Sequence, residues 1–454
     1  MSLLVTLAFK RSSFRNVIVG ATAASVSTVC DASRKVGSAT ATGTATPIND
    51  DSSTATSPKI YRTLQVQIVH RHGDRTPITP LIDEAFWAGT LIPEATLARI
   101  SSNTHLIQDE NANKHTAAGR GPFGKLTELG LLQLVKLGNK LREDLVTDQQ
   151  DHVIVDENTG DRYFPHVFHP ERPLHPSNIR VMSTDFSRTI QSVQGLLVGL
   201  FPDGTDESIA IDVLHTTSWM IPDPQPRRSR DQEQLEYQLS AKLNDREKEM
   251  LPFAIKVTKA LGHMLASDAH EFSFGVSQEN AGKDSIEVEP LAWNQLAEIT
   301  KCLAVRNRLP PGITEADQEA ISQHAAWRWF MNMRDPRLSF MAMNPFTSKQ
   351  VEYMVRHETE PALTIWSAHD SSLIGLLCAY RLEQPSVWPE YGSYLMLELL
   401  EVSDAATAKD DSSRSAKEYV VRFSLNGQVL RSEWGGVVRE TIPLDLLEEN
   451  IRMT

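Results

Sequence analysis

The sequence predicts an α/β core interrupted by a mainly helical insert. Three observations carry this. First, Leu64, Val66 and Ile68 alternate with Gln65, Gln67 and Val69, the period-2 pattern of a strand, before Gly73 and Pro77 break it. Second, residues 362–367 read as a short buried strand, with Leu373, Ile374, Leu377 and Cys378 at helical spacing behind it. Third, residues 206–351 lack a clear strand alternation and carry helical segments at about 231–265, 290–305 and 315–333.

In chain order, residues 1–58 read as a leader and linker. Within residues 1–35, Lys10, Arg11, Arg15, Arg34 and Lys35 face a single acid, Asp31, and residues 36–58 are a Gly/Ser/Thr/Ala stretch with too little apolar material for a core. Core pieces follow at 59–205 and 352–454, with 206–351 as a helical cap between them. Thr314 followed by Asp317 predicts a helix start, and residues 403–417 an exposed loop between two strands.

Composition narrows the function classes. The 454 residues are 41% hydrophobic, enough for a sizeable core. A net charge of −13 argues against a nucleic-acid partner. No run of eighteen or more apolar residues predicts a bilayer-spanning helix. Cys30 lies in the leader, leaving Cys302 and Cys378 in different units, and there is no Asn-x-Ser/Thr acceptor. Few possible disulfides and no sequon favour an organelle, the mitochondrion first, over the secretory pathway as the destination of the basic leader. The oligomeric state is not legible.

The most informative stretch is Arg71-His72-Gly73-Asp74-Arg75-Thr76-Pro77, at the end of the first strand. In open α/β sheets, ligands bind outside the carboxyl ends of strands. Two guanidinium forks around an imidazole suit a phosphate-like group that the imidazole can attack. The stretch resembles the signature of the histidine acid phosphatases, the second branch of the histidine phosphatase superfamily. Three further stretches fit that resemblance. Ser183-Thr184-Asp185-Phe186-Ser187-Arg188-Thr189 resembles the family's S-T-D-x-x-R-T, with Met182 where an arginine often stands. Its Ser183, Thr184 and Asp185 are candidate helix caps, which puts Arg188 in a first helical turn, where an anion is favoured. His369-Asp370 resembles the family's His-Asp pair, with Ser371 and Ser372 in place of two threonines. Gly124-Lys125-Leu126-Thr127-Glu128-Leu129-Gly130 resembles the start of a long helix, and Trp388 to Tyr394 precedes a strand at about 394–401.

The resemblance implies a doubly wound sheet flanked by helices, with the cap inserted. It also implies a phosphomonoesterase that needs neither metal nor cofactor and acts on a small molecule. Arg71, Arg75 and Arg188 would hold the phosphoryl oxygens, with His369 adding a hydrogen bond. His72 would attack phosphorus and Asp370 would protonate the leaving alkoxide. Trp219, close behind the Arg188 helix, would reach the substrate rim. Acid phosphatases, inositol polyphosphate phosphatases and lysophosphatidic acid phosphatases share this machinery. Arg227, Arg228 and Arg230 form one basic cluster, whereas Trp327, Trp329, Phe330, Met331, Met333, Phe340, Met341 and Met343 make the cap apolar. A rival reading takes His70, His72 and Asp74 as the H-x-H-x-D core of a dinuclear metallohydrolase, against which Arg75 places a cation beside the metals. A non-catalytic phosphate-binding protein would need a broken constellation.

Overall fold

A 13-residue strand, β1 (Lys59–Arg71), runs through the middle of the molecule and ends at the signature motif. The computed structural model describes residues 57–108, 119–149, 152–214, 220–222, 230–269, 289–405 and 417–452. The leader and its Cys30 therefore lie outside the described residues, as do residues 406–416 of the predicted 403–417 loop.

Ten strands place the site: β1, β2 (Thr104–Gln108), β3 (Ile154–Val155), β4 (Arg162–Phe164), β5 (Ile179–Thr184), β6 (Ile209–Leu214), β7 (Leu363–Ala368), β8 (Tyr394–Asp404), β9 (Glu418–Leu425) and β10 (Gln428–Leu430). The main sheet runs β10-β9-β8-β1-β7-β5-β6-β2, with β4 also pairing β1. Strands β1, β7, β5, β6 and β2 run parallel to one another, while β8 pairs antiparallel with both β1 and β9. This is the mixed α/β sheet expected from the sequence. Register sets the height of the motifs: Arg71 lies opposite Ala368, and Ser183 opposite Ser367. The residues following β1, β7 and β5 therefore emerge together at one edge.

Helices cover both faces. On one, α1 (Glu128–Leu145) and α2 (Ser187–Leu200) pack Leu134, Leu141, Val193 and Leu196 against Val66, Ile68 and Ile365. Glycines let them approach closely: a Cβ on Gly138 would sit 2.0 Å from the Leu196 carbonyl oxygen. Insert helices α3 (Arg230–Ser240), α4 (Asn244–Leu261), α5 (Trp293–Ala304) and α6 (Glu315–Met333) match the predicted segments. Thr314 caps α6 through a reciprocal bond with Asp317. On the other sheet face lie α7 (Pro336–Val355) and α8 (Asp370–Ala379). The Gln65 and Gln67 side of β1 is also buried. Gln67 donates to the Gln350 carbonyl at 2.8 Å and Gln65 to that of Tyr353 at 3.2 Å, both on α7.

Two expected boundaries move. Residues 206–351 are not purely cap, because β6 joins the core sheet between β5 and β2. Its Ile209, Ile211 and Val213 alternate inward, a pattern six residues long and overshadowed by the helical stretches after it. The border at 351/352 falls inside α7, whose Phe346, Val351 and Met354 belong to the core. Among the described residues, no helix is long and apolar enough to cross a membrane.

Candidate active site

Gly73 lets the signature turn against α1. A Cβ at Gly73 would meet the Gly130 carbonyl oxygen at 2.3 Å, and one at Gly130 would meet that of Asp74 at 2.1 Å. The helix start predicted from Gly124–Gly130 is thus the surface on which the motif rests. Thr127 caps α1 and donates to Asp74 Oδ2 at 2.5 Å. Asp74 also pairs with Arg306 Nη2 at 2.6 Å, so its charge is spent on structure. His70 points into the core, with Nδ1 3.1 Å from the Arg71 carbonyl oxygen and burial lowering its pKa to about 4. His70, His72 and Asp74 therefore do not converge as one ligand set. Among the described residues, no three His, Cys, Asp or Glu side chains could hold a metal.

The predicted Arg71, His72, Arg75, Arg188, His369 and Asp370 do converge. Arg71, His72, Arg75, Arg188 and His369 are each at most 6% exposed, yet Arg71, Arg75, Arg188, His369 and Asp370 line one open cleft. His72 Nδ1 lies 2.8 Å from the Gly73 carbonyl oxygen. A carbonyl can only accept, so Nδ1 carries the proton and Nε2 keeps its lone pair. Burial first, then Arg188, Arg71, His369 and Arg75, lowers the His72 pKa well below its usual value. Burial thus outranks the guanidinium charges that sequence reasoning would credit.

Arg188 lies in the first turn of α2, stacked over Phe186 at 4.5 Å. Its Nε and Nη1 are buried without a partner, and burial followed by the Arg75 charge lowers its pKa. The expected caps differ: the N-cap of α2 is Phe186, which makes no side-chain bond, because β5 runs on through Thr184. Thr184 instead holds His369, with Oγ1 2.9 Å from Nε2. Arg75 is fixed by Glu298 on α5 at 2.8 Å, and the same carboxylate accepts from the Ile78 and Thr79 amides. Arg71 pairs with Asp370 at 2.7 Å and lies 4.2 Å over the Tyr391 ring. Trp388 Nε1 donates to Asp370 Oδ2 at 3.1 Å. Burial would raise the Asp370 pKa, but Arg71, His369, Arg75 and the Ser371 amide outweigh it, and the net shift is downward.

Sequence reasoning missed Glu298 and the roles of Thr184, Trp388 and Tyr391. The last two fall in the Trp388–Tyr394 stretch, so a signal existed there, whereas nothing near Glu298 pointed to Arg75. Of the apolar cap set, Trp329 lines the cleft while Phe330, Met333 and Met343 are buried in the core. Trp219, Arg227 and Arg228 lie outside the described residues. Arg230 begins α3.

Comparison with known proteins agrees with this geometry. A family profile described as the histidine phosphatase superfamily (branch 2) matches residues 64–286. The chain is 26% identical over 386 residues to counting factor 60 of Dictyostelium discoideum, covering 80% of this chain and 79% of that protein. It is 22% identical over 381 residues to lysophosphatidic acid phosphatase type 6 of Mus musculus, covering 80% and 78%. The fold is similar to that of a phytase from Citrobacter braakii, with a TM-score of 0.52 at 14% identity, over 86% of this chain and 98% of that one. The profile spans the motifs at Arg71 and Arg188, and the pair at His369–Asp370 beyond it meets them in the same cleft. The chain belongs to the histidine phosphatase superfamily, branch 2, and is a phosphomonoester hydrolase.

Proposed function

We propose that the chain cleaves its phosphomonoester through a phosphohistidine on Nε2 of His72. The observation that carries this reading is the bond from Nδ1 to the Gly73 carbonyl, which leaves Nε2 unprotonated beside three guanidinium groups. Arg71, Arg75 and Arg188 bind the non-bridging oxygens, where charge sits in the transition state. The Nε2–P bond forms as the P–O ester bond breaks, and Asp370 gives its proton to the departing oxygen. The resulting carboxylate then takes a proton from the water that cleaves the phosphohistidine. The Thr184 hydroxyl donates to Thr189 at 3.0 Å, so it accepts from His369 Nε2, and a bound phosphoryl anion favours the imidazolium whose Nδ1–H then donates to it. Rapid acid quench with labelled substrate tests the nucleophile. Acid-labile, alkali-stable phosphate on Nε2 of His72 is expected, and label on serine or aspartate would refute it.

The substrate class we infer is a monoester with one phosphate and an apolar leaving group. Ile78, Phe186, Ile221, Trp329 and Trp388 wall the cleft beyond the arginines. Among the described residues, its other ionic groups are Glu298, Glu390 and Lys301, and Lys301 is paired with Glu390 at 2.8 Å. A ring carrying several phosphates would bring added negative charge toward these carboxylates, which disfavours an inositol polyphosphate. The similarity to lysophosphatidic acid phosphatase type 6 points the same way. A panel of phytate, lysophosphatidate, sugar phosphates and an aryl phosphate tests this. The highest kcat/KM is expected on the apolar monoester, and a preference for phytate would overturn the assignment. The basic leader supports delivery to an organelle, the mitochondrion before the secretory pathway, and fractionation with mass spectrometry of the native N-terminus tests it.

A further inference from the structure

Eight residues upstream of Arg71 on β1, about 26 Å along an extended strand, Thr63 lines a second cavity of about 190 Å³. Arg62, His152, His166, His169 and Arg172 also line it, and no described carboxylate does. The register of β1 against β8 shifts between Thr63 and Gln65, and this bulge turns Arg62, Thr63 and Leu64 toward one space. The segment after α1 closes over it, held by paired backbone bonds between Phe168 and both Leu145 and Thr147 at 3.0 Å.

The lining is short of acceptors and of negative charge. Thr63 is 5% exposed, and its Oγ1 has no partner. The Nδ1 atoms of His166 and His169 are likewise buried and unpartnered. Arg172 is half-buried and donates to the Leu64 carbonyl at 3.0 Å, and burial depresses its pKa with no carboxylate acting on it. Arg62 lies 4.7 Å over the Phe164 ring at the mouth, and the His152 ring sits edge-on to His166 at 4.8 Å. The one acid that acts on His166 is Asp144, already paired with Lys140 at 2.6 Å. Half-burying a guanidinium that no carboxylate offsets, beside buried polar atoms that lack partners, is costly. A guest offering several acceptors and negative charge satisfies all of them together, whereas a metal would meet two guanidinium groups.

We propose that this cavity is a second anion-binding site, taking a small oxyanion of the kind the enzyme releases, inorganic phosphate. The site is separate from the catalytic cleft and does not rest on the assignment of His72. Water filling the cavity is the competing outcome, since a cavity of this size holds several waters at ~30 Å³ each.

Equilibrium dialysis of the full chain with labelled inorganic phosphate tests the proposal. Two phosphates per chain are expected. Arg188→Ala should abolish the catalytic one and leave the other. Thr63→Val, which keeps the shape and removes only the hydroxyl, should weaken that second site about five- to tenfold without changing hydrolysis of a small aryl phosphate. Arg172→Gln should abolish the second site, with thermal unfolding confirming that the variant is folded. Succinate added as competitor separates the sources: displacement means that the site takes carboxylates too, and no displacement restricts it to tetrahedral oxyanions. A single phosphate per chain, lost with Arg188→Ala, would overturn the proposal and leave the cavity to water.

Discussion

Arg71 Nη2 lies 2.7 Å from Oδ2 of Asp370, so the group assigned as proton donor is held ionised by a group assigned to bind phosphate. The proton must therefore arrive with the substrate. A phosphomonoester loses its second proton at about pH 6, and the monoanion can pass that proton to Asp370 once the phosphoryl group engages Arg71. The expected kcat/KM falls as pH rises through that value. On the acid side, a lowered His72 pKa keeps the imidazole neutral below its usual range, so activity extends into mild acid. The pH profile of kcat/KM checks both limbs. An optimum above neutrality would contradict this assignment of the proton.

Asp370→Asn removes the transferable proton while keeping an acceptor for Arg71 and Trp388. An alkyl phosphate needs its oxygen protonated, whereas nitrophenolate leaves nearly unaided. General-acid help is typically worth about 10²–10⁴-fold, so the alkyl ester should lose that much and the nitrophenyl ester far less. Equal losses would mean that Asp370 only positions Arg71.

Glu298→Gln tests how the cap fixes the catalytic loop. The carboxylate accepts from Arg75 and from the Ile78 and Thr79 amides, and its side chain is 12% exposed. The amide keeps one acceptor and turns a donor toward the others. A stability loss of about 1–3 kcal/mol and a raised inhibition constant for inorganic phosphate are expected. Thermal unfolding and product inhibition measure the two. Unchanged phosphate inhibition would show that Arg75 holds its place without Glu298.

The chemistry of this site was legible because its groups lie on three short motifs beside strand ends. Period-2 alternation and a broken turn set His72 at a strand end, whereas the family resemblance singled out Arg188, His369 and Asp370. What escaped was long-range. Glu298 reaches Arg75 across more than two hundred residues of chain, and no local pattern marks a carboxylate that will cap three donors. Strand β6 escaped for the opposite reason, since six alternating residues weigh little beside the helices that follow. The Gly73–Gly130 contact was half visible: both glycines stood in quoted motifs, but only the fold shows that they touch.

Two indoles divide the roles of the cleft wall. Trp388 donates to Asp370, whereas Trp329 stands edge-on to Trp388 at 6.4 Å and bonds Asn294 at 3.3 Å, away from the reacting groups. Contacts far from phosphorus act alike on ground and transition states, so they move KM and leave kcat. Trp329→Ala should therefore raise KM for an acyl-bearing monoester roughly tenfold, a typical value for one lost apolar contact, and barely alter a small alkyl phosphate. Trp388→Phe should do the reverse, because losing the N–H weakens the hold on the ionised carboxylate. It should shift the pH dependence of kcat on every substrate and leave the ranking of substrates intact. Steady-state kinetics on the two esters, repeated across pH, separates these outcomes. If Trp329→Ala lowered kcat equally on both esters, the outer indole would be supporting the site, and the apolar surface that selects the leaving group would have to lie at Phe186 and Ile221.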